Sequence, residues 1–447
     1  MPEDGIATPT RRAELDAEIG QRPPGGPGSP DRRGPAWIGV AALSVLGVCL
    51  RLAYLHWVTG QPGFAWIDPD YYLAKVIAQQ DAEGWHRLLP AIEYRHLGRV
   101  FHLPPLYSLY LFGAGLTPWA LASTAAVGHA VLSGVSVVAT YAIGANLHSR
   151  RAGLLAAAIT VLAPNGLHTA PIFLQEQLYL PLLLTAFAVL TWVEARVCAP
   201  EWWALCGAAF GFAILTRSMP LYYLPFVAAG LAWRRVGRPA ARRQIAWLVL
   251  GTAAVTLPYS VWLSAEVGRW IFVENHASIS MTAYTRIIRT APPSLLDESL
   301  ALVEAFVERP GEFLGTFGGF LRSNFRPAAH RWVELYVPTL TGAARAVVQA
   351  YAWLMTDVGF ALAVLLTPFG VVLARHQPAS RILALWPPLV ALLTALSAYS
   401  GPRYRGPFET VLYVYLAIVL AGRWRSATRR EVALAALVSS LSLLLIW

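Results

Sequence analysis

Long apolar runs separated by short charged segments dominate the chain from residue 36 onward. Several runs approach the length of about 20 residues that a helix needs to cross the hydrocarbon core of a bilayer. The pattern predicts an all-α polytopic membrane protein with about eleven transmembrane helices. The predicted spans are residues 36–57, 118–146, 152–168, 176–196, 203–217, 219–234, 244–264, 353–374, 382–399, 407–422 and 431–447.

The composition agrees with this pattern. Of the 447 residues, 56% are apolar and only 13% are charged, against about 25% charged residues in typical soluble domains. The net charge of +10 comes from Arg residues gathered between the apolar runs. That placement is typical of cytoplasmic loops, whereas a nucleic-acid partner would require a basic face on a soluble domain. We therefore expect a lipid bilayer as a partner and no nucleic acid.

The positions of the Arg clusters predict the topology. If the N-terminus is cytoplasmic and the spans number eleven, all four clusters fall on the cytoplasmic side, as the positive-inside rule requires. The clusters are HSRR at 148–151, RRVGRPAARR at 234–243, RHQPASR at 375–381 and RWRSATRR at 423–430. Residues 1–35 are rich in Pro, Gly, Arg and acids, without an apolar stretch, and are expected to form a disordered cytoplasmic tail. Residues 36–447 then form the membrane domain.

Two long outer loops follow from this topology, residues 58–117 and 265–352. Both are long enough to contain helices lying at the membrane interface. In the first loop the sequence DPDYYLAKVIAQQ predicts such a helix over residues 69–80. Its apolar face, expected against the membrane, consists of Tyr72, Leu73, Val76 and Ile77.

Three outer acids are candidates for chemistry: Asp68, Asp70 and Glu176. Asp68 before Pro69 also has the pattern of a helix N-cap, and first-turn acids such as Asp70 and Glu176 are favoured by the helix dipole. Capping and catalysis are compatible, because a carboxylate fixed at a helix start is held ionised, as a general base must be. The sequence leaves open whether Asp68 or Asp70 is the base.

A set of outer cations accompanies these acids. Arg217 interrupts a nearly uncharged stretch, where snorkelling to the interface is the alternative explanation. Arg403 and Arg405 flank Tyr404 in SGPRYRGPFE, and two Arg residues at an outer membrane edge indicate a phosphate site. His276 in VENHAS is a weaker candidate, since a lone histidine in a loop is more often structural.

The ordered motifs resemble those of the GT-C class of integral-membrane glycosyltransferases, in particular the superfamily of protein O-mannosyltransferases and lipid A aminoarabinose transferases. The matching segments are DPDYYLAKVIA, HLPPLYSLYL, NLHSRRAGLLAAAITVLAPNGLHTAPIFLQEQLYLPLLL, GAAFGFAILTRSMPLYYLP, VERPGEFLGTFGGFLRSNFRP and SGPRYRGPFETVLYVYLA. Each motif is short, so their order, spacing and shared side of the membrane carry the resemblance. It covers most of residues 36–422.

The resemblance implies a cell-envelope, mannosyltransferase-like enzyme that transfers a sugar from a polyprenyl-phosphate donor, with inversion. Asp68 or Asp70 would deprotonate the acceptor hydroxyl, and Glu176 would orient the acceptor or the base. Arg217, Arg403 and Arg405, with Tyr404 and His276, would bind the lipid phosphate. The chain departs from many relatives in having Asp-Pro-Asp where they have Asp-Glu, and it lacks the soluble C-terminal domain of some. Both departures bear on the acceptor.

Other predictions stay open at this stage. The acceptor is a protein, a lipid or a glycan on the outer face of what we expect to be a bacterial plasma membrane. No firm metal site is predicted, although carboxylates spaced Asp-x-Asp can bind Mg²⁺ or Mn²⁺. The principal alternative is a transporter or flippase of lipid-linked glycans, but the charges cluster on one side and no repeated halves are evident. A membrane polymerase or ligase of glycans and a structural scaffold are the remaining alternatives.

Overall fold

A computed structural model describes residues 36–61, 64–68, 72, 76, 93–96, 99–116, 120–163, 170–196, 199–234, 239–274, 303–325, 341–397, 404–422 and 427–446. The chain divides into two units, residues 1–38 and 39–447. Of the first unit, only the three residues that open the first helix are described. The predicted tail, residues 1–35, lies outside the described residues.

The described part of the second unit is almost entirely helical. The helices are α1 (Ala36–Thr59), α2 (Leu106–Gly115), α3 (Leu121–Leu147), α4 (Arg150–Leu162), α5 (Glu176–Ala195), α6 (Trp202–Ile214), α7 (Leu224–Arg234), α8 (Pro239–Val267), α9 (Pro310–Phe325), α10 (Gly342–Ala352), α11 (Gly359–Leu373), α12 (Pro378–Leu383), α13 (Trp386–Leu396), α14 (Gly406–Ala421) and α15 (Arg429–Ile446). A π-helical turn, Trp353–Val358, joins α10 to α11.

The α-helical membrane fold predicted from the sequence is confirmed. Among the described residues, six helices are long and apolar enough to cross a bilayer. They are Ala36–Thr59, Leu121–Leu147, Glu176–Ala195, Ala240–Val267, Gly342–Leu373 and Pro378–Leu396, and Trp202–Ile214, Met219–Trp233 and Gly406–Ala421 are shorter apolar helices. Every predicted span coincides with helix, and the total of eleven spans stays a prediction.

One departure from the all-helical prediction lies in the first outer loop. Strands β1 (Glu93–His96) and β2 (Arg99–His102) pair antiparallel, with Glu93 opposite His102 and His96 opposite Arg99. A hairpin this short contributes few ladder bonds and no long alternating pattern, so the sequence did not reveal it. The long outer loop does contain helical structure, at residues 303–308 and in α9.

Small residues permit close packing between helices. Gly207 of α6 lies against the backbone of α8 at Leu248, and Gly251 of α8 lies against the backbone of α6 at Ala204. A side chain at either glycine would collide with that backbone, so the two helices approach as small-residue stripes allow in membranes. The GAAFG sequence at 207–211 therefore packs the bundle internally.

A buried aromatic cluster joins helices from both halves of the chain. The ring of Phe187 on α5 lies 5.3 Å from that of Trp386 on α13, and Trp386 lies 5.2 Å from Tyr223. Edge-on aromatic pairs at these distances stabilise beyond their buried area. The Trp386 indole also donates to the carbonyl of Pro407 at the start of α14, 2.9 Å away. These contacts hold α5, α13 and the start of α14 together.

Candidate active site

The helix start at Glu176 positions one of the predicted acids. Gln175 is the residue before α5, and Glu176 is the acid of the first turn, where the dipole of the helix favours a carboxylate. Just before it, Ile172 forms an isolated parallel bridge with Ile67, and the Phe173 amide donates to the Ile67 carbonyl at 2.9 Å. Because Asp68 follows Ile67 directly, this bridge brings the first outer loop to the start of α5.

Arg217 lies in a break between helices. Helix α6 ends at Ile214, the Arg217 amide bonds the Ala213 carbonyl at 2.9 Å, and a 3-10 turn then begins at Met219 with Pro220. The break falls within the sequence TRSMPLYY, where we predicted that one span ends and the next begins. Because the helix ends there, Arg217 lies in the connection between α6 and the 3-10 turn, where its side chain is buried.

Glu176 and Arg217 form a buried ion pair through Oε1 and Nη1. Their side chains are only 13% and 8% exposed. The Arg217 guanidinium also lies over the ring of Tyr404, 5.2 Å from its centroid. Three residues predicted from separate motifs therefore meet in space. The pairing replaces the snorkelling alternative for Arg217, since the guanidinium is held inside the protein.

Aromatic side chains line the space between the acids. Tyr72 donates to the side-chain oxygen of Gln175 at 3.1 Å, and its ring meets that of Tyr107 edge-on at 5.1 Å. Burial raises the pKa of the Tyr107 hydroxyl well above its ordinary value, and the carboxylates of Asp68 and Glu176 act on it in the same direction. These interactions place Asp68, Tyr107 and Glu176 in one neighbourhood.

The apolar face predicted for residues 69–80 is partly corrected. Tyr72 and Val76 are helical, but they are buried at 2% and 1% exposure in a cluster with Leu103, Tyr107 and Phe173. They pack against protein and not against the membrane, because α2 and the segment before α5 cover them. The rest of this predicted helix, including Leu73 and Ile77, lies outside the described residues.

Glu274 is a site residue that we did not predict. Its carboxylate accepts the hydroxyl of Ser218, the neighbour of Arg217. Loss of hydration raises the pKa of Glu274, while the Ser218 hydrogen bond and the positive charge of Arg217 oppose that rise. The sequence signal was present in VENHAS, where our prediction selected His276 instead of the acid two positions earlier.

Arg405 follows Tyr404, and its described contacts are with the segment around α11. Its side chain is completely buried, with the guanidinium 4.1 Å from the Phe360 ring centroid and Nη2 3.4 Å from the Thr356 carbonyl. Phosphate binding by Arg405 stays a prediction. Asp70, Arg403 and His276 lie outside the described residues, and so do their predicted roles.

Sequence comparison finds a partial family match. Residues 108–262 match the family model described as dolichyl-phosphate-mannose-protein mannosyltransferase. That segment contains Glu176 and Arg217, which form the ion pair. No curated protein sequence matches the chain.

Archaeal solved structures share the fold over nearly the whole chain. The archaeal oligosaccharyltransferase AglB from Archaeoglobus fulgidus, in complex with an inhibitory peptide and a dolichol-phosphate, matches with a TM-score of 0.53 at 13% identity, covering 92% of this chain and 54% of that one. The apo form of the oligosaccharyltransferase from the same organism matches with a TM-score of 0.52 at 15% identity, over 92% and 55% of the two chains. ArnT from Cupriavidus metallidurans bound to undecaprenyl phosphate gives a TM-score of 0.41 at 16% identity, over 86% and 77%.

The chain is thus a polytopic membrane protein with the GT-C fold, and the class recognised from its motifs is confirmed. The match to the mannosyltransferase family model supports a transferase of the glycosyltransferase class. The chain spans about half the length of the archaeal structures that it matches.

Proposed function

We propose that this chain transfers a sugar from a polyprenyl-phosphate donor to a hydroxyl acceptor, with inversion at the anomeric carbon. The observation that carries the proposal is the buried Glu176–Arg217 pair, with the Tyr404 ring beside it and Asp68 nearby. An acid near a fixed cation suits a reaction in which one group loses a proton while another gains negative charge. The dolichol-phosphate in the AglB structure, on the same fold, supports a lipid-phosphate donor.

In the proposed mechanism Asp68 is the general base. It removes the proton of the acceptor hydroxyl as that oxygen forms a bond to the anomeric carbon. The bond between this carbon and the phosphate oxygen breaks, and polyprenyl phosphate leaves with the electron pair. Arg217 stabilises the charge that grows on the leaving phosphate, which is where a preorganised cation lowers the barrier most. Glu176 orients Arg217, and Asp70, Arg403 and His276 remain candidates for the same site.

The charges of the described residues favour a mechanism without a divalent metal ion. Glu176 already pairs with Arg217, and Glu274 already accepts from Ser218, so neither carboxylate offers a metal its full charge. We expect the rate of transfer to be unchanged by EDTA, measured before and after adding back Mg²⁺ or Mn²⁺. A rate restored only by the metal would contradict this.

The experiment that tests the proposal uses purified full-length chain and a panel of radiolabelled polyprenyl-phosphate sugars. Wild type is compared with Asp68→Asn and with the control Glu201→Gln, which alters an exposed acid at the far end of α6. We expect Asp68→Asn to bind donor and to lose transfer by about 10²-fold or more, because a general base contributes about that much. The control should retain the wild-type rate.

The other outcomes are decisive as well. Full activity in Asp68→Asn would reduce that residue to a helix cap and assign the base to Asp70 or Glu176. If wild type neither binds nor consumes any donor of the panel, glycosyl transfer fails. Movement of intact lipid-linked sugar across proteoliposomes would then establish the transporter or flippase alternative.

We also propose that the site faces the outer side of a bacterial plasma membrane, with the N-terminus in the cytoplasm. The Arg clusters fall between predicted spans on the side opposite to the site, and this supports the orientation through the positive-inside rule. The test replaces the native cysteines and introduces Ala65→Cys or Glu201→Cys, both at exposed positions. A membrane-impermeant maleimide should label residue 65 in intact cells and residue 201 only after lysis. The reverse pattern would invert the topology.

A further inference from the structure

A second buried polar cluster lies next to the candidate active site. It combines the first turns of α14 with the π-helical turn Trp353–Val358. Its charged and polar side chains are almost fully enclosed: Arg405 is 0% exposed, Glu409 2%, Tyr413 3%, Thr356 2% and Asp357 5%. Charges inside a membrane protein are costly to bury and are usually retained for a function. The mechanism proposed above does not use this cluster.

The π-helical turn supplies the partners of α14. Arg405 Nη2 donates to the Thr356 carbonyl and the Tyr413 hydroxyl to the Met355 carbonyl, each at 3.4 Å. The Arg405 guanidinium also lies over the Phe360 ring, with its central carbon 4.1 Å from the ring centroid. Single π-helical turns occur frequently at functional sites. These contacts hold the Arg405 side chain against the π-helical turn that precedes α11.

The backbone of Arg405 is fixed as well. Arg405 is the residue before α14, and its carbonyl accepts from the amides of Phe408 at 2.9 Å and Glu409 at 2.8 Å. Tyr404 directly precedes it, and the Tyr404 ring is the one on which the Arg217 guanidinium lies. A displacement of the Arg405 backbone therefore moves Tyr404, and with it one of the surfaces that hold Arg217.

We infer that Arg405 is a positioning residue, which acts through Tyr404 to hold Arg217 against Glu176, and that it does not itself contact the lipid phosphate. The inference rests on the proposed function for its consequence in catalysis. Its structural part, the coupling of Arg405 to Arg217, stands independently. Arginine suits the role because its planar guanidinium can stack on an aromatic ring and at the same time donate hydrogen bonds in the plane of the guanidinium. Lysine cannot do both.

The first test measures the coupling without any activity. Hydrogen–deuterium exchange is compared between wild type, Arg405→Lys and the control Arg375→Lys, whose arginine pairs with Glu431 at the other end of the helices. We expect Arg405→Lys to increase exchange in two peptides, one containing residues 404–409 and one containing the Arg217 amide. Increased exchange at 404–409 alone would overturn the inference. If Arg405→Lys does not fold, Phe360→Leu removes the ring under the guanidinium. Because Phe360 also packs against Phe325 and Phe408, this variant is compared with Phe325→Leu, which disturbs the same aromatic cluster without touching Arg405.

The second test uses transfer kinetics. We expect Arg405→Lys to lower kcat by about 10-fold to 100-fold, as small misplacements of catalytic groups do, with the donor KM nearly unchanged. In a Tyr404→Leu background the same substitution should cause no further loss, because its route to Arg217 is already removed. A raised donor KM, or an equal loss in both backgrounds, would show direct phosphate contact and overturn the inference. Should wild type transfer no sugar, the proposed function fails while the exchange measurement still decides the coupling.

Discussion

Two ion pairs at opposite ends of the helices show how differently the chain uses charge. At the site end, Arg217 and Glu176 have side chains 8% and 13% exposed, and Tyr404 covers the guanidinium. At the other end, Arg375 Nε lies 2.9 Å from Glu431 Oε1, with side chains 20% and 32% exposed. The second pair belongs to the Arg-rich loops that predict the topology. The first pair also lies in a neighbourhood of further acids and tyrosines.

The comparison distinguishes charges that orient the chain in the membrane from charges that take part in the proposed reaction. An exposed pair gains little because water already solvates both partners. A buried pair loses that hydration, so its geometry and additional contacts must offset the loss. A buried ion pair of this kind is expected where a fixed cation has a function. The predictions below test whether the two pairs differ as their surroundings require.

The largest difference is expected from removing one carboxylate of each pair. Glu176→Gln leaves Arg217 without its charged partner in a buried place, and such changes cost about 3 kcal/mol or more in the free energy of unfolding. Glu431→Gln should shift stability much less, since that pair is the more exposed of the two. Thermal unfolding of both variants in one detergent measures the difference, and sugar transfer should fall only in Glu176→Gln. Equal shifts in the two variants would remove the distinction.

A smaller difference is expected from changing the cation while keeping its charge. Arg217→Lys loses the planar group over Tyr404 and the direction of its hydrogen bond to Glu176. We expect transfer to fall by about tenfold, which corresponds to about 1.4 kcal/mol in the barrier. Arg375→Lys is the matched control and should keep the wild-type rate. An unchanged rate in Arg217→Lys would mean that charge alone is sufficient.

Glu274 adds a pH dependence at the site end. Because burial raises the pKa of its carboxyl, the folded protein holds that proton more tightly than the unfolded chain. Its contribution to stability is therefore full at acidic pH and is lost as the pH rises through the raised pKa. Glu274→Gln should match wild type in melting temperature at acidic pH and exceed it modestly near neutrality. A difference that is constant with pH would contradict the predicted titration.

Ionic strength should produce the smallest effect, and at the opposite end. The screening length shrinks from about 10 Å at 0.1 M salt to about 3 Å at 1 M. The stability difference between wild type and Glu431→Gln should therefore shrink at high salt to what the Thr428 hydrogen bonds contribute, whereas the difference for Glu176→Gln should persist. Melting curves over a salt series measure both. Loss of the Glu176→Gln difference at high salt would mean that the Arg217 pair is accessible to solvent.

Much of the fold follows from the periodicity of apolar residues. Each predicted span lies on a helix, and the break at TRSMPLYY is where α6 ends. The β1–β2 hairpin was not predicted, because its strands are short. The packing face of Tyr72 and Val76 was assigned to the membrane, since an amphipathic pattern indicates only that one face is apolar. What covers that face is set by α2 and by the segment before α5.

The site was predictable in its residue types but not in its contacts. Glu176, Arg217 and Tyr404 were predicted to belong to one outer site, but nothing in their spacing indicated which of them are in contact. Ser218 and Glu274 were missed because a single hydroxyl or acid in a loop has no periodic signal. Arg405 was selected as a phosphate ligand, yet its side chain is enclosed against Phe360. Exposure of an arginine depends on its neighbours in space, which the local sequence does not specify.

The sequence by itself determined three properties: that the chain is a membrane protein, which segments are helical, and which helix ends carry the Arg clusters. These properties depend on local composition, since the hydrocarbon core of a bilayer accepts apolar helices and excludes charge. Only the tertiary structure decided that α5, the end of α6 and the start of α14 meet, so that Glu176, Arg217 and Tyr404 form one contact. Such a meeting depends on how glycine stripes and aromatic side chains pack helices together. Packing is a property of surfaces distant in sequence, and no single segment encodes it.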